Sequence, residues 1–134
     1  FLINFYNENK IDNHVFVFEK DLNKFLIKSD LCITRGGASS LAELSLLNLP
    51  FISIPLPSSI DNHQYENSKF YEAQNACWII NQKDFDKQNF EDLLFKIIEN
   101  KDEYLVKKKN LQKLNFQNTW INVNQNLLSI LNEN

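Results

Sequence analysis

Short apolar runs alternate along this chain with longer stretches whose apolar residues recur at helical spacing. His14-Val-Phe-Val-Phe18 reads as a buried strand, Leu31 to Thr34 as a second, Phe51-Ile-Ser-Ile54 as a third and Cys77-Trp-Ile-Ile80 as a fourth. After the first run, Asp21 is placed to cap a short helix over Leu22 to Lys28, with Leu22, Phe25 and Leu26 on its apolar face. Leu41, Leu44 and Leu47 predict a helix from Ala38 that ends before Pro50. Pro55-Leu-Pro57 stiffens the exit of the third strand. A helix capped by Asp61 then runs to about Asn75, with Tyr65, Phe70 and Tyr71 as apolar surface. Past the fourth strand the pattern is helical: Phe90 to Glu99, Tyr104 to Leu114, and a last stripe along Phe116, Trp120, Val123, Leu127 and Leu131.

This rhythm predicts an α/β fold, parallel strands joined by crossover helices with both faces of the sheet covered. Ligands of such sheets bind outside the carboxyl ends of the strands. Three segments reach that edge, Phe18 to Lys20, Arg35 to Ser40 and Pro55 to Gln64, and are expected to converge on one cleft.

Composition narrows the class. A single domain of 134 residues buries roughly 68–70% of its unfolded surface, enough for a real core. A net charge of -3 and a pI near 5.4 argue against a nucleic-acid partner held by phosphate neutralisation. Lys107-Lys108-Lys109 neighbours Asp102 and Glu103 and reads as a solvated helix face. Cys32 and Cys77 each sit in an apolar run and form no C-x-x-C pair, which predicts buried free thiols in a reducing cytosol. No apolar run approaches the ~20 residues of a membrane span, and the N-terminus does not resemble a signal peptide. The chain begins without methionine and contains none, so it is expected to be a piece of something longer.

Both glycines of the chain stand together, at Gly36 and Gly37, between the second strand and the helix from Ala38. A strand that ends in Gly-Gly and opens a helix with small hydroxyl residues makes an anion site from free N–H groups and the helix dipole. The N–H groups of Ala38, Ser39 and Ser40, with the two serine hydroxyls, suit a diphosphate. Glu43 falls on the same helical face, one turn on, where a carboxylate can accept two hydrogen bonds from a vicinal diol such as ribose. An ordinary strand-to-helix turn with a solvent-facing glutamate gives the same pattern. The second constellation, Asp61-Asn-His-Gln-Tyr-Glu-Asn67, could hydrogen-bond sugar hydroxyls or could be only a polar, capped helix start. A hydrolytic triad of Ser39 or Ser40 with His63 and Asp61 is disfavoured. Gly37-Ala-Ser-Ser-Leu41 lacks the second glycine of a nucleophile elbow, and Asp61 is too close along the chain to stand behind His63.

In order and spacing, three segments resemble the C-terminal half of the MurG family: Ser29-Asp-Leu-Cys-Ile-Thr-Arg35-Gly-Gly-Ala-Ser-Ser-Leu-Ala-Glu43, Leu49-Pro-Phe-Ile-Ser-Ile-Pro55-Leu-Pro, and Asp61 to Asn67. The resemblance covers Val15 to about Asn81 well and the helical tail loosely. It implies a GT-B glycosyltransferase, two Rossmann-like domains about a cleft, with residues 1–134 a partial C-terminal UDP-sugar-binding domain and 116–134 its C-terminal helix. The implied activity is inverting transfer of GlcNAc from UDP-GlcNAc to lipid I, forming lipid II in peptidoglycan synthesis. By the resemblance, Glu43 binds the ribose diol; Gly37, Ala38, Ser39 and Ser40 line the diphosphate and ribose; and Glu19, through its backbone, and Leu22 hold uracil. His63 and Gln64 contact the GlcNAc hydroxyls, with Asn67 and Arg35 part of the same donor site. The family often has glutamine where His63 stands.

The resemblance implies that the strand and glycine-rich turn opening the family's C-terminal half, and the N-terminal domain with the lipid I site, the general base and the membrane-docking patch, fall outside residues 1–134. The expectation is a donor-site fragment without catalytic residues of its own, unable to transfer sugar alone. It would need no metal and no cofactor, and the intact protein would lie peripherally on the cytoplasmic face of the bacterial inner membrane. The last helix either crosses back to the N-terminal domain or covers its own sheet. Two other functions stay open: the donor subunit of a two-chain dolichol-linked GlcNAc transferase, and a non-catalytic UDP-binding α/β module.

Overall fold

The computed structural model describes residues 2–117 and 128–129. Three short strands, β1 (Cys32–Thr34), β2 (Phe51–Ser53) and β3 (Trp78–Ile79), form a parallel sheet in the order β1-β2-β3. Cys32 pairs with Phe51, and Ile52 with Trp78. The helices are α1 (Leu2–Glu8), α2 (Asn23–Leu26), α3 (Ala38–Leu46), α4 (His63–Ala73), α5 (Lys87–Glu99) and α6 (Lys101–Gln117). Single 3-10 turns stand at Ile60–Asn62 and Gln82–Asp84.

Side chains alternate across β2, and each face builds its own core. Phe51 packs with Leu41 and Leu44 of α3, Cys77, and Leu111 and Leu114 of α6. Ile52 faces the other way, onto Trp78, Ile97 of α5 and the half-buried Phe90, Leu93 and Leu94. The helical α5 stripe that meets this face begins with Asp86, whose side chain accepts from the Asn89 N–H at 2.9 Å as an N-cap. Coverage is nevertheless uneven. Ile33, at the centre of β1, is 51% exposed and lines an open cavity of about 480 Å³ with Ile54 and Phe85, so the second face of β1 is bare where a covered sheet was expected.

Helix α6 runs along the amino edge of the sheet. The Tyr104 hydroxyl donates to the Asp30 carbonyl just before β1, and Lys107 Nζ donates to the Cys77 carbonyl just before β3. Asn115 bonds Ser45 and Asn48 at the end of α3. The Lys107–Lys109 run is therefore not simply a solvated face. Lys107 is buried, its ammonium also bonded to Asn75 Oδ1 at 2.9 Å and lying 4.7 Å from the Trp78 ring centroid. Burial lowers its pKa.

Other sequence expectations also change. His14 to Phe18 forms no strand, and Val17 and Phe18 stand exposed. A strand exists through its ladder, and among the described residues β1 pairs only with β2, so this run finds no strand there to bond. His14 and Phe16 instead stack on Phe25, with centroids at 4.7 and 5.5 Å. Asp21 does not cap α2: Leu22 is the N-cap residue, without a side-chain bond, and the Asp21 N–H donates to Glu19 Oε1. Asp61 does not cap α4, because a left-handed Asn62 precedes the helix and no side chain caps it. Helix α5 begins earlier than expected, at Lys87, and α6 spans Lys101–Gln117. Both cysteines are free, Cys77 buried and Cys32 half-buried, and burial raises both thiols, Cys77 to about 12. The stripe beyond Gln117 lies outside the described residues.

Candidate functional site

The Gly-Gly turn is held by a buried hydroxyl network. Gly36 has φ +84, and a Cβ there would lie 2.6 Å from Ser68 Oγ, 2.7 Å from the Gln64 carbonyl oxygen and 3.0 Å from Ser53 Oγ. Ser53 and Ser68 are fully buried with their hydroxyls 2.6 Å apart. Ser68 gives its one proton to the Gln64 carbonyl at 2.7 Å, so Ser53 must be the donor to Ser68. Asn67 Nδ2 donates to the Gly36 carbonyl at 3.2 Å. Asn67 of α4 thus bonds the turn, and the Ser53–Ser68 pair of β2 and α4 packs against Gly36 where a Cβ would stand.

Gly37 sits differently. It is the N-cap residue of α3 in extended conformation, with φ -64, and nothing crowds it. No side chain caps α3. Ala38, Ser39 and Ser40 are exposed, so the first N–H groups of the helix, which have no intrahelical acceptor, face outward with the positive end of the dipole. Glu43, one turn along, is half-buried, and no hydrogen bond or ion pair occupies its carboxylate among the described residues.

The third segment closes on the second. The Leu56 N–H donates to Gln64 Oε1 at 2.9 Å, and His63 Nδ1 lies 2.6 Å from the Ile60 carbonyl oxygen. Asp61 and Asn62 both adopt left-handed backbone, φ 48 and 55. With its Nδ1 on a backbone carbonyl, His63 is not oriented by Asp61, which removes the geometry a triad needs. Arg35 turns to the far face, where Nη1 donates to the Ile54 carbonyl at 3.4 Å and to Gln82 Oε1 at 2.5 Å.

Gly36, Gln64, Asn67 and the start of α3 are thus brought together. Glu19 and Leu22 are not tied to them by any hydrogen bond or ion pair among the described residues. Glu19 instead pairs with Lys24 at 3.1 Å. Its pKa is lowered, first by the Asp21 N–H and then by Lys24. Ser53, Ser68 and Gln82 escaped the sequence reading. A serine ending an otherwise apolar strand, and another one turn after Gln64, were the signals that could have found the first two.

A model of the glycosyltransferase family 28 C-terminal domain matches residues 2–122. The chain belongs to this family. It is 47% identical over 129 residues to the UDP-N-acetylglucosamine--N-acetylmuramyl-(pentapeptide) pyrophosphoryl-undecaprenol N-acetylglucosamine transferase of Pelagibacter ubique, covering 96% of this chain and 36% of that protein. The Rickettsia bellii protein of the same name is 36% identical over 97 residues, covering 72% of this chain and 27% of that one. The crystal structure of Acinetobacter baumannii MurG superimposes with a TM-score of 0.63 at 28% identity, over 74% of this chain and 28% of that one. The family 28 chain therefore spans about a third of the length of its relatives, and its parallel sheet with crossover helices is the Rossmann-like α/β fold expected. No helix among the described residues is long and apolar enough to cross a membrane.

Proposed function

We propose that this chain forms the donor side of a UDP-GlcNAc transferase acting on lipid I. The observation that carries the reading is the uncapped start of α3 standing one turn from a half-buried Glu43 that has no partner among the described residues. A diphosphate would accept from the N–H groups of Ala38, Ser39 and Ser40, while Glu43 would accept from the ribose diol. As the glycosidic bond breaks, negative charge grows on the departing UDP, and donors already fixed in place stabilise it without reorganising. The clamp on Gly36 supplies that fixity. His63 and Gln64 would meet the sugar, and Glu19 and Leu22 the uracil. Asn67 and Arg35 would act through the backbone they hold. Lipid I, the general base and contact with the cytoplasmic face of the inner membrane belong, on this reading, to parts of the protein outside this chain. The names of the relatives support this reading over the dolichol-linked one.

Titration of UDP-GlcNAc, UDP-GalNAc and UDP into the folded chain and its Glu43→Ala variant tests it. The expected result is tightest binding of UDP-GlcNAc and a loss of roughly tenfold or more for every ligand in the variant, the scale of hydrogen bonds to a charged group. Equal affinity for UDP and UDP-GlcNAc would instead favour a nucleotide-binding module. An unaffected variant would remove Glu43 from the site.

A further inference from the structure

We propose that the turn from Ile60 to Gln64 fixes the hydrogen-bond polarity of the sugar subsite, so that His63 offers only an acceptor and Gln64 only donors. This deepens the donor-site reading and rests on it for the identity of the ligand.

A neutral imidazole carries one N–H and one lone pair. The Ile60 carbonyl can only accept, so the proton sits on His63 Nδ1, which is 2.6 Å away. The exposed Nε2 is left as a lone pair without a partner among the described residues. Gln64 is complementary. Its Oε1 takes the Leu56 N–H at 2.9 Å, which orients the amide and leaves the two Nε2 protons without an acceptor among the described residues. The backbone enforces both arrangements. Asp61 and Asn62 stand consecutively in the left-handed region, at φ 48 and 55, a conformation costly for residues with a Cβ. Across that double reversal the Ile60 carbonyl oxygen stands 2.6 Å from His63 Nδ1. A ligand group at His63 must therefore be a hydroxyl that donates, and one at Gln64 must accept. Asp61 and Asn62 are positioning residues for this pair.

The test has two parts. Long-range proton–nitrogen correlations on the 15N-labelled chain, with His14→Phe to assign the two imidazoles, report which ring nitrogen of His63 carries the proton. A proton on Nδ1 alone is expected, and a proton on Nε2 overturns the proposal. The second part compares UDP-GlcNAc with analogues in which one sugar hydroxyl is replaced by fluorine, which cannot donate. At one position the wild-type chain should lose about tenfold in affinity, and His63→Gln, whose amide can turn either way, should bring that analogue within about twofold of its parent. If every analogue binds the wild type like the parent, the polarity proposal fails while the sugar site stands. If UDP-GlcNAc binds no tighter than UDP, the sugar-site reading fails, and the ring proton still decides the polarity of His63.

Discussion

The two edges of this sheet are built on opposite terms. At the amino edge, α6 satisfies what it meets: Asp30, Cys77, Asn75, Ser45 and Asn48 all find partners on Tyr104, Lys107 or Asn115. A buried ammonium is tolerated there because two acceptors and an aromatic face surround it. At the carboxyl edge, the helix start at Ala38 is uncapped, and the imidazole and amide of α4 each keep a hydrogen-bonding atom without a partner among the described residues. The backbone of the Gly-Gly turn is bonded at the Gly36 carbonyl by Asn67 and packed from beneath by the bonded pair Ser53 and Ser68. Satisfied side-chain hydrogen bonds are concentrated at one edge and unmet hydrogen-bonding capacity at the other, as expected of a scaffold that keeps a binding edge ready.

Substitutions at the clamp should break this contrast most strongly. Gly36→Ala faces a positive φ and a Cβ contact of 2.7 Å with a backbone carbonyl that cannot swing aside. We expect a loss of about 3 kcal/mol or more by denaturant unfolding. Gly37→Ala has φ -64 and a nearest neighbour at 3.8 Å, so its stability should stay within about 0.5 kcal/mol of wild type. Equal effects at the two glycines would mean that the turn is not clamped as described. At the other edge, Lys107→Met removes the ammonium from the Trp78 ring face and strands the Cys77 carbonyl and Asn75 Oδ1. A cost of about 2 kcal/mol follows, with nucleotide binding unchanged. A weakened ligand affinity in that variant would show that the edges are coupled.

The sequence made the parallel sheet legible because its strands are apolar runs, the first two closed by glycine or proline and the third by Asn81-Gln82, signals that depend on neighbours along the chain. It made the helix start at Ala38 legible for the same reason. What it could not show depends on neighbours in space. Val15 and Phe16 have the composition of a strand, but a strand needs a ladder, and that pairing is not written locally. Lys107 sits in a run of three lysines, and only the arrival of Asn75 and Cys77 at one point of α6 distinguishes it from its exposed neighbours. Asp61 has the right chemistry for an N-cap, yet the left-handed turn at Asn62 displaces it. Which atoms of His63 and Gln64 are already engaged depends on the folded path of the loop, set by Ile60 three residues before the histidine and Leu56 eight before the glutamine.

The smallest expected effect probes whether the amino edge responds to acid. Glu103 accepts from Trp78 Nε1 at 2.9 Å and pairs with Lys96 at 3.2 Å. The indole N–H first, and Lys96 second, hold its carboxyl below the ordinary carboxylate range. A carboxyl whose pKa is lower folded than unfolded contributes stability above the unfolded value and loses it as pH falls through the folded value. Stability should therefore decline in acid as this clasp protonates. Glu103→Gln keeps an oxygen for Trp78 but carries no charge, so it should flatten part of that decline at a neutral-pH cost below about 1 kcal/mol. Glu19, held low by the Asp21 N–H and Lys24, contributes with the same sign from outside both edges. Comparing Glu19→Gln with Glu103→Gln across an acid series separates the two. If only the Glu19 variant flattens the profile, the amino edge is held by its neutral bonds and by Lys107, and its ion pair with Lys96 is incidental.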